Sequence, residues 1–423
     1  MSPPGGARAA AAAAERTARE SYGKLVAYLA KRCGNVHAAE DALADALASA
    51  LERWPSDGVP HAPDAWLLVA ARHRLFDGAR RERRRDVLHE RLAAAARDAQ
   101  QTFEAAEELD DDRLGVLFAC AHPALAPGVR APLMLQLVLG IDAARIAGAF
   151  MIAPATMSQR LVRAKHKIVA AGIPLHVPPA GEWPARLDAV LTAVYTAYGE
   201  GWDDPRGSDP RTRGLASEAM WLGRLLAEAC PAEAEALGLA ALMTYANARR
   251  AARYDENGTY VPLERQQVAR WDAAALDEAE TLLERASRLG RVGRFQLEAA
   301  IQSAHVVRRR HGSPDWEAIA MLYDELLRRT GSPVVALNRA ASIGRARGPQ
   351  AGLAALDALA RDALARDARM LGYQPYWATL ANLAERAGRA EQALDAYRRA
   401  LELTSDPGVR TFLFERAAAA GGR

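Results

Sequence analysis

The spacing of apolar residues predicts helices along almost the whole chain. Leu25, Tyr28 and Leu29 share one face of a first helix. Ala42, Leu43, Ala46, Leu47 and Leu51 recur at intervals of three and four, with Glu40, Asp41, Asp45 and Glu52 on the opposite side. That pattern is an amphipathic helix with an acidic wet face. The stretch PSDGVPHAP at 55–63 is dense in turn residues and predicts a loop. Asp64 then stands where a cap belongs, ahead of a helix from Ala65 to about Arg85. Residues 86–112 are rich in Ala, Glu and Asp and read as a solvated linker. Helices resume at Arg113, are broken by HPALAPG at 122–128, and continue over Arg130–Leu139. Asp142–Ala170 has the form of a helix-turn-helix, its turn at Met151–Pro154. The segment 172–184, with Pro174, Pro178, Pro179 and Pro184, predicts a stiff connector.

The remaining chain is helical in pattern, with breaks at Asp203–Arg213, Tyr254–Pro262 and His311–Pro314. Its last third has repeat character. Tyr376–Pro407 fits a tetratricopeptide-like helical hairpin, which needs small residues where helices cross and large ones between them: Trp377 and Leu380 fall on the first helix, Ala393, Tyr397 and Ala400 on the second, and a proline follows. Segments 315–329, 333–347 and 349–360 read as further helices of the same stack, and a generic helical domain is the alternative.

Composition narrows the class. A chain of 423 residues suggests about two to four domains. Half of it is hydrophobic, which excludes wholesale disorder. Alternating Val/Ile/Thr runs are scarce, so the fold class is all-α rather than all-β or doubly wound. The expected order is a disordered lead-in (1–20), a first helical domain (21–85), the acidic linker (86–112), a second helical domain (113–172), the connector (173–184), a helical extension (185–310) and the repeat-like end (311–423). Cys33, Cys120 and Cys230 lie too far apart for a metal motif or a disulfide framework, which fits a reducing cytoplasm. No apolar run is long enough to predict a membrane span.

Charge points to one half. Residues 1–175 hold 23 basic against 20 acidic residues, and the rest holds 32 against 32. A nucleic-acid footprint must therefore be local to the first part. The stretch AWLLVAARHRLFDGARRERRR at 65–85 carries seven arginines against Asp77 and Glu82. Arranged on a helix, such cations suit a phosphate backbone, each neutralised phosphate releasing counterions. A solvated charged helix would look the same. The segment DAARIAGAFMIAPATMSQRLVRAKHKI is more specific: Ile146, Ala147 and Phe150 line one helix, and Met157, Leu161 and Ile168 line the next. The outward side of the second helix is assigned Ser158, Gln159, Arg160, Arg163, Lys165 and Lys167, with no acid among them. Short polar groups near the N-terminus suit base edges, and later cations suit phosphates.

In this order, AEDALADALASALERWP, DAWLLVAARHRLFDGARRERRR and ATMSQRLVRAKHKI resemble the core-binding helix, the −10 helix and the −35 recognition helix of extracytoplasmic-function sigma factors of the sigma-70 family. The later half, through CAHPALAPGVR, AVYTAYGEGW and EALGLAALM, resembles a subgroup with a long C-terminal extension ending in tetratricopeptide-like repeats. His73 stands where the family commonly has Asn, Gly78 interrupts the −10 helix, and YGEGW at 198–202 stands where relatives tend to have FNEGY.

The resemblance implies a dissociable subunit of core RNA polymerase that binds promoter DNA and needs no cofactor. Glu40, Asp41 and Asp45 would face the polymerase. The loop with Pro60 and His61 would hold a flipped base. Arg72, His73, Arg74, Asp77, Arg80, Arg81 and Arg84 would flank the −10 element. Ser158, Gln159 and Arg163 would read the −35 major groove, while Arg160, Lys165 and Lys167 anchor phosphates. The acidic linker would thread between the two domains. A fused repeat domain suggests regulation in cis or a docking site for a protein partner. A helix-turn-helix regulator acting without polymerase is the second reading, and it leaves the acidic helix and the Arg-rich helix unexplained. An enzyme using Tyr198, Glu200, Asp203 and Asp204 is a third, and a helix-end acidic cluster is more often a salt-bridging feature. Trp54, Trp66, Trp221, Trp271 and Trp316 are expected to pack.

Overall fold

A computed structural model describes residues 4–77, 112–150, 152–202, 214–366 and 368–421. Among them the protein is helical, with no strand beyond one antiparallel bridge between Tyr254 and Tyr260. The chain divides into two compact units, Met1–Leu222 and Gly223–Arg423.

The N-terminal unit starts earlier than the pattern predicts. Helix α1 runs Pro4–Cys33, where a disordered lead-in was expected up to residue 20. Ala10, Ala13 and Ala14 are buried, so the small side chains that look featureless in sequence are a packing stripe. Helix α2 (Val36–Asp57) is capped by Asn35, whose side chain accepts from Ala38 N, and it packs on α1. Its buried stripe is Val36, Ala39, Leu43, Ala46, Ala50 and Trp54. Helix α3 (Pro63–Asp77) packs across both, after a loop shorter than the predicted 55–63, since α2 continues through Pro55 to Asp57. The Trp54 and Trp66 rings meet edge to face at 5.6 Å.

The same unit then holds α4 (Arg113–Cys120), α5 (Pro127–Leu137), α6 (Ala143–Ala149), α7 (Pro154–Ala170) and α8 (Pro184–Trp202). Asp142 caps α6 through Arg145 N at 3.0 Å, and Pro154 opens α7, as their positions in sequence predict. Helix α1 lies against α4 and α5 so closely that a Cβ at Gly23 would overlap the Val138 carbonyl. Lys31 and Arg32 at the end of α1 pair with Asp112 at 2.5 and 3.7 Å. Helix α9 (Leu215–Ala229) contributes Glu218, which pairs with Arg113, and Trp221, whose ring lies 4.3 Å from that guanidinium. Trp221 is 39% exposed and packs at the surface, as a platform for that cation.

In the C-terminal unit, α10 (Ala234–Ala248) is apolar on all sides and buried, with α11 (Ala273–Arg288) and α12 (Arg294–Val306) packed around it. Glu235 accepts from Phe295 N and Gln296 N, both at 3.0 Å, and so caps α12 from a neighbouring helix. The one-turn α13 (Arg308–His311) leads to α14 (Trp316–Thr330), α15 (Pro333–Ala346), α16 (Pro349–Arg366), α17 (Gln374–Arg386), α18 (Ala390–Leu403) and α19 (Pro407–Gly421). Each of these from α14 onward packs on the next. Ala381, Ala384, Ala393, Tyr397 and Ala400 form one core between α17 and α18. Small residues there let the two helices approach closely.

His305 is half-buried, its ring edge to Trp316 at 5.3 Å and its buried Nδ1 lacking a partner. Burial, helped by Arg249 and Arg308, lowers its pKa to about 4. The unfolded chain then binds the extra proton between about pH 6.5 and pH 4, so stability falls as pH drops through that window. The shift of this group amounts to about 3 kcal/mol at full protonation. His305→Phe should flatten the difference between urea unfolding at pH 7 and pH 4.5 relative to the unaltered chain.

Candidate nucleic-acid interface

The described residues among those singled out in sequence fall on three helices of the N-terminal unit and on the loop before α3. On α2, Asp41 and Asp45 are exposed, with side chains 70% and 57% accessible. Pro60 is half-buried and His61 exposed in the loop before α3. On α3, Arg72 and Arg74 are exposed and His73 is half-buried. Arg74 sits 3.7 Å from Asp45 on α2, so the acidic face and the start of the basic helix adjoin. Such an exposed pair is worth little and is readily exchanged. Asp77 ends α3, and Arg80, Arg81, Arg84 and most of the acidic linker lie outside the described residues.

Helix α7 follows α6 after a short turn, and α6 packs on it. Met157, Leu161, Ala164 and Ile168 are buried. Ser158, Gln159, Arg160, Arg163 and Lys167 are exposed along the other side. Three cations, a hydroxyl and an amide with no acid between them suit a polyanion: the early polar groups can meet base edges and the guanidiniums can meet phosphates.

Lys165 departs from the expected phosphate-anchoring position. It lies one turn beyond Leu161 and three residues before Ile168, so it faces inward. Its Nζ meets Glu40 Oε2 at 2.8 Å, the two side chains being 10% and 11% accessible. Glu40 also accepts from the Tyr22 hydroxyl at 3.2 Å. Glu40 is thereby withdrawn from the outward acidic face on which the pattern puts it. Burial first, and Glu40 second, push the Tyr22 hydroxyl and the Cys120 thiol well above their ordinary pKa values. Beside this pair, His37 of α2 and His166 of α7 meet edge to face at 5.4 Å. Tyr22, His37 and His166 escape the sequence reading because nothing in linear spacing brings α1, α2 and α7 together.

Glu200 at the end of α8 binds Arg145 of α6 at 2.8 Å, the salt-bridging role expected of a helix-end acid. Asp203 and Asp204 lie outside the described residues. No cluster of His, Cys, Asp or Glu among the described residues could hold a metal ion, and no helix among them is long and apolar enough to cross a membrane.

Comparison with known families adds what geometry alone does not supply. Residues 18–85, covering the second half of α1 with α2 and α3, match the model of sigma-70 region 2. The N-terminal part of the chain therefore carries a sigma-70 region 2 domain. Residues 186–287 match a family of unknown function, DUF6596. A protein of Rhizobium meliloti (strain 1021), described as uncharacterized, is 36% identical over 399 residues, 93% of this chain and 92% of that one. The sigma-70 part and the helical extension are therefore shared as one continuous arrangement. No solved structure matches.

Proposed function

We propose that this protein is a sigma factor of the extracytoplasmic-function type, which confers promoter recognition on core RNA polymerase in the cytoplasm. The match of residues 18–85 to sigma-70 region 2 carries the reading. Helix α2 offers Asp41 and Asp45 to a basic surface of the polymerase. Helix α3 offers Arg72, His73 and Arg74 to the −10 element, and the Pro60–His61 loop receives an extruded base, whose unstacking costs about a few kcal/mol that the pocket offsets. Helices α6 and α7 serve as the helix-turn-helix, with Ser158, Gln159 and Arg163 reading the −35 groove and Arg160 and Lys167 on phosphates. Lys165 and Glu40 bind each other instead of partners. The stack from α14 to α19 is a tetratricopeptide-like module that regulates the sigma part or docks a protein partner. None of these steps is enzymatic, and none requires a cofactor.

Reversing Asp41 and Asp45 together to Lys should weaken binding of the full chain to core polymerase at least tenfold, because like charges then face each other. Titration of labelled polymerase with both chains checks this. Equal affinities would remove α2 from the interface.

A further inference from the structure

Residues 249–272, between α10 and α11, contain no helix longer than one turn, yet they are gripped along their length. Tyr254 donates to Asp406 Oδ2 at 2.7 Å, and Tyr260 N donates to Gly408 O at 3.2 Å. The Tyr260 ring meets Phe412 edge to face at 5.9 Å. Gly408 has no room for a Cβ against the Gly258 carbonyl and the Tyr254 ring. Farther along, Arg308 donates to the carbonyls of Leu263 at 3.0 Å, of Glu264 at 2.6 Å and of Gln266. The Glu264 carboxylate pairs with Arg345. Arg386, which donates to Gly344 O at 3.1 Å, lies within electrostatic reach of both Arg345 and Glu264.

The residues that grip come from α13 (Arg308), α15 (Arg345), α17 (Arg386) and the start of α19 (Gly408, Phe412). These are alternate helices, so the segment runs along one face of the stack. In arrays of helical hairpins, one continuous face of this kind is suited to hold an extended peptide.

We infer that residues 254–266 are an internal ligand of the stack, and that the socket of Arg308, Arg345 and Arg386 is built for an extended peptide of a partner protein bearing a carboxylate, which displaces them. Charge complementarity carries the choice of occupant: Arg345 pairs with the Glu264 carboxylate, and Arg308 and Arg386 bring two further positive charges within its electrostatic reach. Arg308 holds backbone carbonyls, which any extended peptide presents. Glu264 is the side chain that supplies charge-specific recognition, and its carboxylate is 39% accessible beside an Arg345 that is 30% accessible, so the pair is exchangeable. The inference deepens the reading of the stack as a docking module and does not depend on promoter binding.

The test uses the full chain and a labelled peptide with the sequence of residues 257–268, NGTYVPLERQQV, added in trans. The unaltered protein should bind it weakly, its socket being filled. Glu264→Arg expels the internal key and should raise affinity at least tenfold, with Glu264→Gln giving a smaller gain should the first variant fold poorly. Adding Arg345→Glu to Glu264→Arg restores an internal pair and should return binding to the weak level. No gain in either well-folded variant overturns the inference. So does equal binding of a peptide with Arg in place of its Glu, or preferential binding of a short oligonucleotide. Self-association of Glu264→Arg without a gain in peptide binding would assign the face to a second copy and overturn it as well.

Discussion

Lys165→Met should destabilise the N-terminal unit by about 3–5 kcal/mol, the cost of leaving a buried carboxylate without its cation. Lys165 and Glu40 are nearly inaccessible, and Tyr22 spends its hydroxyl on the same carboxylate. Removing one charge therefore leaves Glu40 desolvated with only a neutral donor. Replacing all three groups by apolar shapes (Lys165→Met, Glu40→Leu and Tyr22→Phe) should recover most of the loss, because no buried polar atom is then stranded. Urea unfolding of the full chain, following the N-terminal transition, checks both statements. A single-variant loss below about 1 kcal/mol would mean that water reaches the pair.

The second large effect falls on α7. Arg163→Ala should cost about 1–3 kcal/mol of promoter discrimination, roughly a 5- to 150-fold loss concentrated at one position of the −35 element. Gln159→Ala should act similarly at a neighbouring position. Lys167→Ala should instead weaken binding to every sequence alike and reduce the slope of log affinity against log salt by about 1. Binding of the reconstituted holoenzyme to a panel of single-substituted promoters, at two salt concentrations, separates the two classes. A uniform loss from Arg163→Ala would move that side chain from base edge to backbone.

These two predictions also show where linear sequence is informative. Periodicity of three and four places α2, α3, α6 and α7, and the caps at Asp142 and Pro154 fall where polar and proline residues precede apolar runs. Counting cations on α7 is less safe. Lys165 is written among Arg163 and Lys167, yet its helical position continues the stripe of Leu161 and Ile168. Its partner Glu40 is 125 residues away, and no local rule joins them. The same holds for the Ala-rich start of α1, whose burial depends on distant neighbours. It holds equally for residues 249–272, which read as a break at Tyr254–Pro262, because their partners (Asp406, Gly408, Phe412, Arg308 and Arg345) lie far along the chain.

The acidic and basic faces gain coherence from the sigma-70 region 2 match. Asp45 on α2 lies 3.7 Å from Arg74 on α3, with Asp41 and Arg72 exposed on the same two helices, so the pair of helices carries both signs of charge. The exposed cations of α7 form a second charged face on the same unit.

Run-off transcription with core polymerase, the full-length chain and genomic promoter fragments, followed by mapping of the 5′ ends, tests the central claim most directly. The account predicts discrete starts, absent with core alone, that share a −35 and a −10 element and disappear when Arg163 and Gln159 are both replaced by Ala. Transcripts that start at the same scattered positions with and without the protein would contradict it.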